Sequence, residues 1–314
     1  MSPLNPLKIG TRASRLALAQ ATQVQQALES AHPGLRCELV TIQTSGDKLS
    51  SAAQAGAIKG LFVKEIEAAL LSGQVDLAVH SAKDLETDLP ENLMIGAVLK
   101  REDPRDAWVA VSQTNFKEIS SETKVGISSL RREAQLKRLR RDLEVTPIRG
   151  NVETRLKKLD SGQYGALVLA AAGLIRLGLQ ERISAYFEPS DFLPAPAQGA
   201  LAIEIRADRP EVVEKIEVLN DSASRSEIEA ERSFLRALGG SCRVPVGALA
   251  QVQEENLTLQ GVVLSPDGLK QVRKEIAGPR ALAEKLGKDL ASHVRAEGAD
   301  RLLYGAWADK GQEA

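Results

Sequence analysis

Cationic side chains crowd one stretch of this sequence. Arg131, Arg132, Arg138, Arg140, Arg141, Arg149 and Arg155 all fall within residues 128–155. Arg138, Arg140 and Arg141 have acidic company at Asp142 and Glu144 and read as a solvated helix face. That reading is weaker for Arg131 and Arg132. They follow the strand-like KVGI (124–127) and the pair Ser128-Ser129, in the first turn of the helix LRREAQLKRL. A helix N-terminus already carries partial positive charge and free N–H groups. Two guanidiniums there ask for an anion, and each charge-assisted hydrogen bond to one is worth about 1.5–3 kcal/mol. Arginine's planar fork suits a carboxylate or a phosphate. Arg12 after KIGT (8–11), Lys83 after DLAVHS (76–81) and Arg149 after EVTPI (144–148) occupy further strand ends. Open α/β sheets bind ligands at such ends. Arg155 lies near the start of the helix VETRLKKLD, which Asn151 caps. Cations gathered from separate segments predict a ligand with several negative groups.

Two other residues could do chemistry. Asp84 is a lone carboxylate at a strand end among these cations. It reads either as a salt bridge to Lys83 or Arg131, or a helix cap, or as a catalytic carboxylate that stabilises a developing cation. Cys242 sits in GGSCRVP (239–245), a shaped loop with two glycines before it and a proline after it. The other cysteine, Cys37, lies inside the apolar run CELVTI and reads as a packed core thiol.

The elements that must position these groups follow from the pattern of the chain. Its 314 residues are 43% hydrophobic and 26% charged, with a formal net charge of −1, an ordinary globular composition. That balance, with 3% aromatics, argues against a general nucleic-acid binder. Two cysteines and three scattered histidines provide neither a disulfide framework nor a metal site. No apolar run is long enough for a membrane span and no export signal is visible, so a cytosolic protein is expected. Short apolar runs alternate with amphipathic stretches, which predicts α/β layers. Ser14 caps a helix to about Leu28, a helix runs from about Phe62 to Leu71, and ALVLA (166–170) is a strand continued by the helix AAGLIRLGL. LPAPAQGA (193–200) is a proline-rich crossing before the strand ALAIEIR. Residues 43–60 form a long polar loop, of the kind that compact domains keep for function.

Taken in order, HSAKD (80–84), REDPRDA (101–107), GISSLRR (126–132), IRGNVETRLKKLD (148–160), LAAAGLIRLGL (169–179) and GGSCRVPVG (239–247) closely resemble the porphobilinogen deaminase, or hydroxymethylbilane synthase, family. KGLFVKEIE (59–67) is similar too, and the likeness covers about residues 8–250. The resemblance implies three α/β domains. Residues 1–100 with about 200–218 form the first and 101–199 the second, a pair like type II periplasmic-binding proteins around a cleft. Residues 219–314 form a small α+β domain carrying the cysteine loop. It implies an enzyme that condenses four porphobilinogen molecules, with loss of ammonia, onto a dipyrromethane cofactor held by a thioether to Cys242, then releases hydroxymethylbilane by hydrolysis.

By the same resemblance Asp84 is the catalytic residue. Lys83, Ser129, Arg131, Arg132 and Arg155 hold cofactor carboxylates, and Leu169 and Ala170 line that site. Arg12, Ser14, Arg149 and Arg176 hold the substrate or growing chain, with Gln20 and Gln198 as further lining residues. Phe62 either stacks on a pyrrole or begins a helix as a core residue. The 43–60 loop acts as a lid, and the family suggests a monomer. The chain departs from the family pattern in four places. TSGD (44–47) stands for TRGD, AIKGLF (57–62) for GGKGLF, HSAKD for HSMKD, and PAPAQGA for a glycine-containing version. A non-enzymatic anion-binding protein of the periplasmic-binding type is the competing reading. It leaves the cysteine loop unexplained.

Overall fold

A computed structural model describes residues 6–44, 63–111, 113–239 and 245–308. Cys242, Phe62 and nearly all of the expected lid lie outside the described residues. The chain divides into two units by its contacts, Met1–Glu102 with Ala200–Arg225, and Asp103–Gly199 with Ser226–Ala314.

The first unit is built on β1 (Leu7–Thr11), β2 (Cys37–Thr41), β3 (Leu77–Ser81), β4 (Leu93–Val98) and β10 (Leu201–Arg206), in the order β2, β1, β3, β10, β4. β1 runs parallel to β2 and β3, while β10 is antiparallel to β3 and β4. Helix α1 (Arg15–Ala31) starts where expected: the Ala17 N–H donates to Ser14 Oγ at 3.3 Å. Its buried positions Ala21, Val24 and Leu28 pack on Ile9, Leu77, Ile203 and Ile205. Helix α2 (Lys64–Leu71) covers the opposite face with Ile66, Ala69 and Leu70. Helix α6 (Pro210–Ile216) adds Val212 and Ile216 to the α1 side.

The second unit holds two sheets. One contains β5 (Asp106–Ala110), β6 (Lys124–Ile127), β7 (Glu144–Pro147), β8 (Ala166–Ala170) and β9 (Ala185–Tyr186), in the order β7, β6, β8, β5, β9. β6 is parallel to β7 and β8, and β5 is antiparallel to β8 and β9. Its helices are α3 (Leu130–Leu139), α4 (Val152–Asp160) and α5 (Ala171–Arg176). The sequence pattern carries α5 through Leu179. The helix stops at Arg176 because Gly178 turns the chain out with φ 68°. The few aromatics gather here: Phe187 stacks on Phe192 at 4.4 Å between ring centroids and meets Trp108 edge-on. They serve as core, not as an exposed platform.

The other sheet is an antiparallel meander of β11 (Val246–Gln253), β12 (Asn256–Leu264) and β13 (Gln271–Pro279). Around it lie α7 (Ser222–Ala237), α8 (Ala283–Ala296) and α9 (Ala299–Ala308). Phe234, Leu257, Leu259, Leu286, Leu290 and Val294 are central to its core. A smaller apolar cluster of Ala134, Leu193, Leu249, Val262 and Leu264 joins this sheet to α3 and to the crossing at 193–200. Where the sequence reading expects three parts, the third sheet therefore shares contacts with the second part in one unit. No described helix is long and apolar enough to cross a membrane.

Candidate functional site

In the first unit, β3 ends in a 3-10 turn, Ala82–Asp84. The Ala82 N–H donates to the Ala200 carbonyl at 3.0 Å, and Gln20 Nε2 donates to Ser81 Oγ at 2.9 Å. Gln20 is thus buried and committed to β3. Beyond these anchors, Lys83 is half-buried and Asp84 is exposed. Among the described residues the Asp84 carboxylate has no hydrogen bond or ion pair. Arg12 follows β1 and is half-buried, and Ser14 serves as the α1 cap.

In the second unit, the partner of Arg131 is Asp106, the first residue of β5. Asp106 is fully buried and accepts from Arg131 Nη1 at 2.6 Å, Arg132 Nε at 2.9 Å and Gln198 Nε2 at 3.0 Å. Arg132 Nη2 also lies 2.7 Å from Asp106. Burial opposes the ionisation of Asp106, but Arg131 and Arg132 outweigh it and hold its carboxyl well below the usual carboxylate range. Backbone carbonyls complete the set: Arg131 Nη1 donates to Leu193 at 2.6 Å and Arg132 Nη1 to Val168 at 3.2 Å. Ser129 caps α3 through the Arg132 N–H. This geometry answers how a helix can begin on two arginines, since a buried carboxylate from the neighbouring sheet faces them.

Among the described residues, one carboxylate against two buried guanidiniums leaves an excess of positive charge. Arg131 and Arg132 are only 4% and 6% exposed, and Arg131 Nε is buried with no hydrogen-bond partner among the described residues. A buried uncompensated charge costs several kcal/mol. A donor set of this kind fits an anionic organic group such as a pyrrole carboxylate. Other cations of the unit bond to backbone carbonyls and a hydroxyl. Arg155 donates from Nε to the Gly150 carbonyl at 2.7 Å and from Nη1 to Ser128 Oγ at 2.8 Å. Gly150 has φ 112°, and a Cβ there would meet Thr154 at 2.7 Å, so glycine is required beside Arg155. Arg176 Nη2 donates to the Gly199 carbonyl at 2.7 Å, and Arg149 is exposed. Leu169 is buried on β8, opposite Ala107, and Ala170 ends that strand opposite Asp106. Gln198 is 1% exposed and bridges Asp106, Arg132 and the Pro104 carbonyl, the last at 2.8 Å.

The solvated-face reading holds for Arg140, which pairs with Asp142, and Arg138 and Arg141 are exposed. Cys37 is buried as expected; burial first, then Glu29, pushes its thiol up to about 11, so it stays protonated and inert at neutral pH. Sequence reasoning gave no role to Asp106, although the signal was present: an acid heading the apolar run DAWVA, with two adjacent arginines at a helix start. It also missed Glu231 on α7, which is fully buried. Glu231 accepts the Ala197 N–H at 2.6 Å and the Ala250 N–H at 2.7 Å, tying the crossing to β11.

Comparison with known proteins gives consistent matches. The family model described as porphobilinogen deaminase, dipyromethane cofactor binding domain, matches residues 7–214, and the one described as porphobilinogen deaminase, C-terminal domain, matches residues 226–296. The porphobilinogen deaminase of Syntrophobacter fumaroxidans is 49% identical over 299 residues, covering 95% of this chain and 96% of the relative. That of Syntrophotalea carbinolica is 48% identical over 299 residues, covering 95% of each. That of Bordetella parapertussis is 47% identical over 305 residues, covering 96% and 97%. Among solved structures, the methionine binding protein MetQ is 16% identical with a TM-score of 0.43, covering 67% of this chain and 88% of that one. That last likeness concerns chain fold alone and carries no functional argument.

Proposed function

The chain belongs to the porphobilinogen deaminase family, and on that premise we propose how its own residues carry the reaction. It is a transferase of porphyrin biosynthesis that condenses four porphobilinogen molecules stepwise, with loss of ammonia, and releases hydroxymethylbilane by hydrolysis. Its cofactor is dipyrromethane, which when bound supplies the nucleophilic pyrrole carbon that primes the chain.

Cys242 is the attachment point in this proposal, since a soft thiolate between glycines suits a thioether to a methylene carbon. Lys83, Ser129, Arg131, Arg132 and Arg155 hold cofactor carboxylates, and Leu169 and Ala170 line that site. Arg12, Ser14, Arg149 and Arg176 hold the acetate and propionate groups of substrate and product chain, with Gln20, Gln198 and Phe62 as lining. The buried positions of Gln20 and Gln198 support a scaffolding share in that task. Asp84 is the catalytic carboxylate. Its exposed oxygens, unpartnered among the described residues, are available to stabilise the electron-poor carbon left when ammonia departs from porphobilinogen. They can also take up and return a proton at the reacting ring. Lys83 has the wrong sign for that task. We further propose a monomer of the cytoplasm, with residues 219–314 as a third domain and with no nucleic-acid or membrane partner.

The observation that carries this reading is the uncompensated guanidinium charge around Asp106, which a polyanionic oligopyrrole relieves. Intact-mass measurement tests it. The purified protein is expected to carry two pyrrole units, to gain stepwise increments with porphobilinogen, and to lose the adduct in Cys242→Ala. A bare wild-type mass, or an adduct that persists in Cys242→Ala, overturns the assignment.

A further inference from the structure

We propose that a buried pair, His80 with Glu204, is a positioning device for the turn that carries Lys83 and Asp84. The proposal rests on Asp84 acting as the catalytic carboxylate. His80 lies on β3, four residues before Asp84, and Glu204 lies on β10. In the strand register His80 faces Ala202 and Glu204 faces Ala78, so both side chains leave the same face of the sheet. That face is the one covered by α2, because Ala78 packs there with Ile66 and Leu70. His80 Nε2 stands 3.0 Å from Glu204 Oε2, with side-chain exposures of 5% and 0%. The contact is close but lies off the line of a hydrogen bond. His80 Nε2 and both Glu204 oxygens have no hydrogen-bond partner among the described residues. Glu67 of α2 feels both members of the pair, together with Glu86 beyond the turn and Lys64 of α2.

Stability does not account for this arrangement. A buried carboxylate must have a counter-charge, yet apolar side chains of similar volume are often as stable as a buried ion pair, or more so. What the pair does supply is a fixed geometry. Directly after it, Ser81 is held on the opposite face by Gln20, and Ala82 is held at the backbone by Ala200. Three successive residues are thus pinned from three directions immediately before the two exposed or half-buried groups of the turn. His80 fixes the α2 side of that frame, and Asp84 inherits its position. Loss of the pair loosens the turn without touching the arginines that bind carboxylates.

Steady-state kinetics on the full-length, cofactor-loaded enzyme tests this, with His80→Leu, His80→Gln, Glu204→Gln and Asp84→Ala measured side by side. Circular dichroism reports folding and intact mass reports loading. A misplacement of about 1 Å costs roughly a hundredfold in rate, so His80→Leu is expected to lower kcat by about tenfold or more with KM within about twofold. His80→Gln keeps a polar group facing Glu204 and is expected to recover most of the loss. If His80→Leu does not fold, Glu204→Gln, which keeps shape and removes the carboxyl group, decides by the same split between kcat and KM. A folded, loaded His80→Leu or Glu204→Gln enzyme with wild-type kcat, or with kcat and KM altered together, overturns the inference. Normal turnover in Asp84→Ala removes the Asp84 reading itself. An inactive Asp84→Ala beside a normal His80→Leu removes only the positioning role.

Discussion

Asp106 heads a strand whose other residues are Ala, Trp, Val and Ala, and it alone there is charged. Its two oxygens organise Arg131, Arg132 and Gln198 at once. Removing one member of a buried charge network leaves the others desolvated and unpaired, at a cost of about 3–5 kcal/mol. Asp106→Asn is therefore expected to lose stability on that scale in urea denaturation, while keeping the shape of the side chain. Wild-type stability in that variant contradicts the pairing. The local sequence does not display the contact because the partners are 25 and 26 residues apart. What the sequence does show is the unsolved half of the problem, two guanidiniums at a helix start. The sequence reading expects the anion of a ligand there, and the structure places Asp106 against both guanidiniums. Asp106 supplies one such anion from inside the chain, and the excess charge leaves room for another.

At the scale of elements, the helices were the legible part. Ser14, Ser129 and Asn151 each accept a backbone N–H at a helix start, so local chemistry alone marks those boundaries. α3 and α4 begin and end where the pattern puts them. The crossing at 193–200 was legible only as a proline-rich break. In the structure, Ala197 takes φ 65°, a left-handed conformation, with its N–H held by buried Glu231. A left-handed alanine costs roughly 1–2 kcal/mol, and one buried methyl returns about 0.8 kcal/mol, so strain is the larger effect. This is the PAPAQGA segment, one of the places where the sequence departs from the pattern it resembles. Ala197→Gly is expected to raise the urea midpoint, by up to about 1 kcal/mol in stability. An unchanged or lower midpoint refutes the strain argument. The strands β11 to β13 went unread for a different reason: β13 is half-exposed along its length and has no apolar run, so pairing with β12 defines it.

For the whole molecule, the buried titratable groups make stability depend on pH. Burial first, then the neighbouring Glu204 carboxylate, raises the pKa of Glu67 above its ordinary value. A folded value above the unfolded one means that the native state binds the proton more tightly. That contribution is complete below the unfolded value and is lost as pH rises through the raised one. Glu67→Gln cannot ionise and lacks this loss. Its melting temperature relative to wild type is expected to climb as pH increases through that window. A constant difference across the window excludes Glu67 as the source.

By itself, the sequence determined the helix starts, the apolar runs of the central strands, the α/β class and the ordered motifs that mark the family. These depend on neighbours along the chain, on capping hydroxyls, periodicity and turn residues. The tertiary structure alone decided which carboxylate meets Arg131 and Arg132, and why Asp84 is left without a partner among the described residues while Asp106 is not. It also decided that His80 and Glu204 share one buried face, and that the third sheet shares contacts with the second part of the chain. Each of those outcomes is a contact between distant segments. Its energy comes from removing charge or apolar surface from water, and only the completed fold sets how much is removed and beside what.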